Sequence, residues 1–166
     1  MIYKFLEALD QRFGFERAKA HCDIPCGIYD PHTALIAALT VVRMNDLMAD
    51  LQNSGNPQDL AYVNSMSRYI TVKEEHAEKV KQEVRIIWGD YMKQQHIDKH
   101  PEVHQLVHRI MQLASQARQS ANRDVSVQLV EAVNEFGEIF WDTKGVTVKR
   151  AKAPYAPGLE IIYPNV

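Results

Sequence analysis

Apolar residues recur at intervals of three and four along most of the chain, which predicts amphipathic helices. Four of them are expected, with approximate limits at 31–52, 58–91, 100–120 and 122–144. Asp30-Pro31 is a typical start signal for the first helix, and Lys144-Gly145 is a typical stop signal for the last. Because the connections are short, the prediction is an all-α, antiparallel four-helix bundle. Residues 93–100 are predicted to be a polar connection.

The two ends of the chain have different patterns from the bundle. Residues 2–17 have the spacing of a short amphipathic helix, whereas residues 146–166 contain three prolines, Gly158 and a brief apolar stretch. We therefore divide the chain into residues 1–20, a leader, residues 21–145, the bundle domain with its N-terminal loop, and residues 146–166, an extended tail. The tail is expected to lie on the bundle or on a neighbouring subunit.

Composition and charge narrow the functional classes. The chain has 166 residues, of which 46% are hydrophobic and 24% charged, so that it can bury one sizeable core. Its net charge of -2 argues against nucleic acid or an anionic membrane surface as the main partner. No apolar run is long enough to span a bilayer. We expect a cytoplasmic protein.

The first 20 residues have the features of a cleaved segment. They end in Ala18-Lys19-Ala20, a small-x-small pattern that signal peptidases favour. Charged residues interrupt the apolar region that a secretory signal needs, so a non-secretory leader is the expectation.

A motif with metal-binding chemistry follows immediately. The only two cysteines, Cys22 and Cys26, lie in the box formed by residues 21–29, HCDIPCGIY, which is predicted to be a loop. If the leader is removed after Ala20, His21 gains an α-amine, which loses its proton readily near neutral pH. The amine, an amide nitrogen and two thiolates could then lie in one plane, with the imidazole of His21 axial. Such nitrogen and sulfur ligands suit Ni(II), whereas zinc prefers a tetrahedron.

The spacing of the two cysteines is a weak signal on its own, because such pairs are often inert or redox-active. Two further interpretations stay open at this point: a thiol switch, and a non-catalytic helical bundle that stores or senses nickel or copper.

The box resembles the mature N-terminus of the nickel superoxide dismutases. The similarity continues through residues 88–93, WGDYMK, 100–107, HPEVHQLV, and 139–144, IFWDTK, and so covers about residues 21–144. The resemblance implies a four-helix bundle that assembles as a homohexamer and is made as a precursor trimmed by a maturation peptidase. It also implies superoxide as the substrate and one nickel ion per subunit, which cycles between Ni(II) and Ni(III).

The resemblance also implies residue roles. His21 would supply the amine and the axial imidazole, Cys22 an amide nitrogen and a thiolate, and Cys26 the second thiolate. Tyr29 would stand over the open axial face and order a water or the small anion. Four residues would support this arrangement: Asp23, Pro25 (after a cis bond), Tyr91 and Lys93.

Two departures from the family pattern concern the surroundings of the imidazole. Ala37 stands where a glutamate is expected, and His76 stands where an arginine is expected. These changes keep the non-catalytic alternative open, because outer partners orient metal ligands. A second cluster, His100, His104 and His108, shares one helix face and is expected to be structural or exposed rather than a ligand set.

Overall fold

The computed structural model describes residues 27–166. The predicted helix at 2–17, the leader, and His21, Cys22, Asp23, Pro25 and Cys26 all lie outside these residues. The described helices are α1, His32–Ser54; α2, Leu60–Ile86, which continues as a π-helical turn, Ile87–Tyr91; α3, Gln94–Lys99; α4, Val103–Gln119; and α5, Arg123–Thr143. Two strands follow, β1, Val148–Lys152, and β2, Glu160–Pro164.

The four long helices form the predicted bundle. Helix α1 packs between α2 and α5, and α4 packs against the same two helices from the other side. Their facing sides bury one continuous core, with Phe136 and Phe140 of α5 as its largest fully buried side chains. The residues predicted as a polar connection differ from expectation, because they contain the short helix α3.

Local hydrogen bonds explain where these helices begin and end. The Asp30 carboxylate accepts the backbone N–H of His32 at 2.7 Å, and the Asn122 side chain accepts the N–H of Asp124 at 2.9 Å. After α5, Gly145 adopts a φ of +71°, a left-handed conformation in which glycine carries no steric penalty. The predicted start and stop signals therefore act as expected.

The C-terminal residues form an antiparallel hairpin rather than a single extended strand. Val148 pairs with Pro164 and Lys152 with Glu160. Ile161 and Ile162 are almost fully buried, because β2 lies on helix α5. Within residues 27–166, no helix combines the length and the apolar character needed to cross a membrane.

Candidate metal centre

The described structure begins with the last three residues of the metal-binding box, residues 27–29. Gly27, with a φ of +85°, and Ile28 are exposed, whereas Tyr29 turns inward and its hydroxyl oxygen is buried. The ring centroid of Tyr29 lies 5.5 Å from that of Tyr91, with an angle of 48° between the rings. Two residues that the sequence places 62 positions apart, and that the resemblance assigns to one site, are therefore neighbours.

Tyr91 is held from several sides. It ends the π-helical turn after α2, and its hydroxyl lies 2.8 Å from Thr143 Oγ1. Thr143 donates its single hydroxyl proton to the carbonyl of Phe140 at 2.6 Å, so Tyr91 is the donor to Thr143. The ring of Tyr91 stacks on His96 at 5.1 Å and contacts Phe140 at 5.0 Å.

Two lysines place positive charge beside this tyrosine pair. The ammonium of Lys144 lies 4.5 Å from the centroid of the Tyr91 ring, within the range of a cation–π contact. Lys93 is exposed and donates from Nζ to the carbonyl of Asp90 at 2.8 Å. Its backbone N–H donates to Nδ1 of His96 at 3.1 Å, which places the proton of a neutral His96 on Nε2.

A carboxylate at the end of α5 ties the short helix α3 to this region. Asp142 Oδ2 lies 2.6 Å from Lys99 Nζ and 2.6 Å from His100 Nε2. Hydrogen bonds from Lys99 and then His100 hold the pKa of Asp142 below its ordinary value of 3.8. Because Lys99 ends the helix that carries His96, this cluster helps to place His96 against Tyr91.

The two departures from the family pattern lie on separate helices. Ala37 is buried in α1. His76 is half-buried in α2, and its Nδ1 lies 2.8 Å from the carbonyl of Val72. Because a carbonyl can only accept, Nδ1 is the protonated nitrogen. The imidazole of His21 lies outside the described residues.

Two of the three clustered histidines, His100 just before α4 and His104 within it, have side-chain partners in the bundle. His100 is engaged by Asp142, whereas His104 accepts from Trp88 Nε1 at 3.1 Å. Among residues 27–166 no group of three or more histidine, cysteine, aspartate or glutamate side chains could hold a metal ion. A structural role for His100 and His104 agrees with the expectation.

Sequence reasoning missed three residues around Tyr91: His96, Thr143 and Lys144. His96 lies in a segment predicted to be a plain connection, and the other two lie 52 and 53 positions from Tyr91. The only available signal was that Thr143 and Lys144 belong to one of the matched motifs, which does not indicate what they contact.

Comparison with known proteins agrees with this arrangement. A model of the nickel-containing superoxide dismutases matches residues 16–144. The chain belongs to the nickel-containing superoxide dismutase family. A "Superoxide dismutase [Ni]" from Streptomyces coelicolor is 36% identical over 125 residues, which are 75% of this chain and 88% of that protein. A second, from Streptomyces seoulensis, is 33% identical over 128 residues, which are 77% and 91% of the two chains.

Solved structures of nickel superoxide dismutase show the same fold. The native enzyme at 1.30 Å superposes with a TM-score of 0.64 at 35% identity, and covers 75% of this chain and 99% of its own. A structure with nickel ligation corresponding to the oxidised state gives 0.65 at 33% identity, with the same coverage. The matched residues, 16–144, span the bundle and the positions of Tyr29 and Tyr91.

Proposed function

We propose that this chain dismutes superoxide, converting two superoxide anions and two protons into oxygen and hydrogen peroxide, with one nickel ion per subunit. The observation that carries the proposal is the family match over residues 16–144. The contact between Tyr29 and Tyr91 at the exit of the box supports it. The match favours this enzyme over the non-catalytic bundle and the thiol switch.

The ligand chemistry of the chain suits nickel. Because no metal-binding cluster exists among residues 27–166, the soft donors to consider are those of the box. We propose His21, Cys22 and Cys26 as the ligands, with Asp23 and Pro25 shaping the loop. When bound, nickel supplies one-electron redox chemistry by alternating between Ni(II) and Ni(III), which requires no organic cofactor.

The tyrosines have different proposed tasks. The hydroxyl of Tyr91 is committed to Thr143, which in turn donates to Phe140, so Tyr91 is a positioning residue that supports the ring of Tyr29. Tyr29 follows Cys26 by three residues. We assign to its hydroxyl the ordering of water or of the anionic substrate, and with it the delivery of protons.

The lysines supply local attraction for the substrate. Superoxide is an anion and the chain has a net charge of -2, so charge over the whole molecule does not draw it in. Lys144 lies over the ring of Tyr91, and Lys93 follows Tyr91 by two residues, so we propose that these two cations attract the substrate at the exit of the box. Their effect should weaken with salt, because the Debye length is about 10 Å at 0.1 M.

The remaining parts of the proposal concern assembly and maturation. We propose that residues 1–20 are removed by a maturation peptidase, that the mature chain forms a homohexamer, and that it acts in the cytoplasm. The family resemblance supports the first two, and the interrupted apolar pattern of the leader supports the third.

The deciding experiment uses the trimmed chain that starts at His21. It should bind nickel stoichiometrically by elemental analysis and accelerate superoxide decay in stopped-flow measurements. Cys22→Ser and Cys26→Ser should each abolish nickel binding and keep the helical circular dichroism. A folded, nickel-loaded chain that leaves superoxide decay unchanged would contradict the enzyme, and unfolding of either cysteine variant would show that the box is structural.

A further inference from the structure

The C-terminal hairpin lies beyond the part of the chain shared with the known enzymes. The family match ends at residue 144, and 75% of this chain suffices to cover 99% of the solved native enzyme. The hairpin residues, 148–164, are nevertheless an integral part of the fold, with Ile161 and Ile162 among its most buried side chains. This added element therefore has a defined place on the bundle.

One buried polar side chain locks the hairpin onto α5. The Asn134 amide donates from Nδ2 to the carbonyl of Glu160 at 3.0 Å and accepts the N–H of Ile162 at Oδ1, also at 3.0 Å. In an antiparallel pair, only every second residue of a strand bonds to the partner strand through its backbone. The backbone groups of Glu160 and Ile162 that bind Asn134 point away from β1, on the other edge of β2. Asn134 itself is fully buried and satisfied by these contacts.

Gly137 of α5 has no side chain, which allows the hairpin to pack close to the start of α1. A Cβ atom placed on Gly137 would lie 2.3 Å from Ile162 Cδ1 and 3.4 Å from Pro31 Cγ. Ile162 therefore occupies the space that glycine leaves, beside the buried ring of Pro31. The next residue in each chain segment, Tyr163 after Ile162 and His32 after Pro31, forms a second contact, with the two ring centroids 5.9 Å apart. Both pairs border a cleft of about 230 Å³.

These contacts lie at the exit of the metal-binding box. Pro31 follows Cys26 by five residues, and Tyr29, between them, is held against Tyr91. The exit segment, Tyr29–His32, thus has one anchor on the π-helical turn and a second on the hairpin. Metal sites need their ligands held within about 0.5 Å of the working geometry, which a loop achieves only if its ends are fixed.

We propose that the C-terminal hairpin is a positioning element of the metal site: Tyr163 and Ile162 anchor His32 and Pro31, and thereby hold the exit of the box in place. The inference rests on the proposed function, because it assigns nickel to that box. Arg150 of β1 strengthens the anchor, since it donates from Nε to Glu138 at 2.8 Å and from a terminal guanidinium nitrogen to Glu131 at 2.9 Å.

The test compares Tyr163→Ala with Tyr163→Phe in the chain that starts at His21. Phenylalanine keeps the ring against His32 and removes only the hydroxyl. We expect Tyr163→Ala to weaken nickel affinity about tenfold, a typical effect of losing an outer partner, and Tyr163→Phe to leave it unchanged. In the metal-free chain, amide hydrogen exchange of residues 27–33 should accelerate in the alanine variant alone. Circular dichroism checks the bundle.

His32→Ala removes the same ring contact by changing the other partner, which is half-buried. This variant replaces Tyr163→Ala in the test if Tyr163→Ala does not fold. Where both fold, the double variant should lose no more affinity than either single one, because they remove one shared contact. Unchanged nickel affinity and unchanged exchange in folded Tyr163→Ala or His32→Ala would overturn the inference. If the unaltered trimmed chain took up no nickel, the proposed function would fail, and the exchange of residues 27–33 would still decide the anchor.

Discussion

At the scale of single residues, the site contains two neighbouring tyrosines, Tyr29 and Tyr91, for which we propose different roles. Tyr91 donates to Thr143, so its proton is engaged within the bundle. Tyr29 is the last residue of the metal-binding box, and its hydroxyl oxygen is buried. We therefore assign different roles to the two tyrosines: Tyr91 is a positioning residue, and Tyr29 is a candidate catalytic residue.

Tyr29→Phe tests this separation. We expect the trimmed chain to keep its nickel, because the hydroxyl is not a proposed ligand, and to lose about 2- to 13-fold in the rate at high superoxide, the equivalent of a hydrogen bond worth roughly 0.5–1.5 kcal/mol. Stopped-flow rates across superoxide concentration and pH provide the measurement. Equal rates under all conditions would exclude the role, and Tyr69→Phe, at a half-buried position on α2, is the matched control.

A buried lysine shows how one side chain secures the end of a helix. Lys73 of α2 is almost completely buried, and its Nζ donates to the carbonyls of Ala117 at 2.7 Å, Arg118 at 3.0 Å and Ser120 at 2.5 Å. These carbonyls lie at the C-terminal end of α4, where helical partners run out. The ammonium therefore satisfies groups that would otherwise be buried without donors.

Lys73→Met should lower the free energy of unfolding by about 2–3 kcal/mol, because it removes a charged donor from buried acceptors. Urea denaturation measures the loss. The matched control is Lys79→Met, at an exposed position on the same helix, which should change stability little. Equal stabilities for the two variants would mean that water replaces the ammonium at these carbonyls.

At the scale of elements, the long helices form the bundle, and the short helix α3 positions a residue of the site, His96, against it. Helix α3 has six residues and no buried side chain, so it has little packing of its own. Its last residue, Lys99, and the following His100 bind Asp142 at the end of α5. This attachment keeps His96 stacked on Tyr91.

Asp142→Asn should loosen α3 in a pH-dependent way. The pKa of Asp142 is held below 3.8 in the folded chain, so its pairing stabilises the fold above the unfolded value and is lost as the pH falls through the folded value. The difference in unfolding stability between the unaltered chain and the variant should be full at pH 6 and shrink below about pH 4. Thermal unfolding across pH measures it. Asp50→Asn, exposed on α1, should show no such trend.

At the scale of the whole molecule, residues 16–144 match the family, and the C-terminal hairpin lies beyond that match. Residues 1–20 are the proposed leader, and residues 148–164 form the hairpin that packs beside Pro31. We propose that both ends act on the same box: the leader by keeping the nitrogen of His21 in a peptide bond, and the hairpin by holding the exit segment in place.

The leader should control metal uptake. While it is attached, the nitrogen of His21 is a peptide nitrogen without an amine lone pair, so the full-length chain should be folded, poor in nickel and inactive. Cleavage between Ala20 and His21 should start nickel binding, whereas a chain with one extra residue should stay inactive. Mass spectrometry of the N-terminus, metal analysis and superoxide decay check this. Stoichiometric nickel and full activity in the intact chain would disprove the amine as a ligand.

The sequence by itself determined the four long helices, because apolar periodicity and capping residues such as Asp30 and Asn122 act over a few neighbouring positions. It also determined the family and the candidate metal ligands, since the residue types and their spacing in the box can be recognised from the sequence alone. The proposed roles of His21, Cys22 and Cys26 remain predictions, because these residues lie outside the described structure.

Only the tertiary structure decided what surrounds the site. The stacking of His96 on Tyr91, the hydrogen bond from Tyr91 to Thr143, and the contact of the hairpin with Pro31 join residues far apart in the chain. No local pattern encodes such meetings, because they depend on how helices and strands pack. The sequence predicts only an extended tail here, since prolines and a short apolar run do not show that Gly137 leaves room for Ile162 beside Pro31.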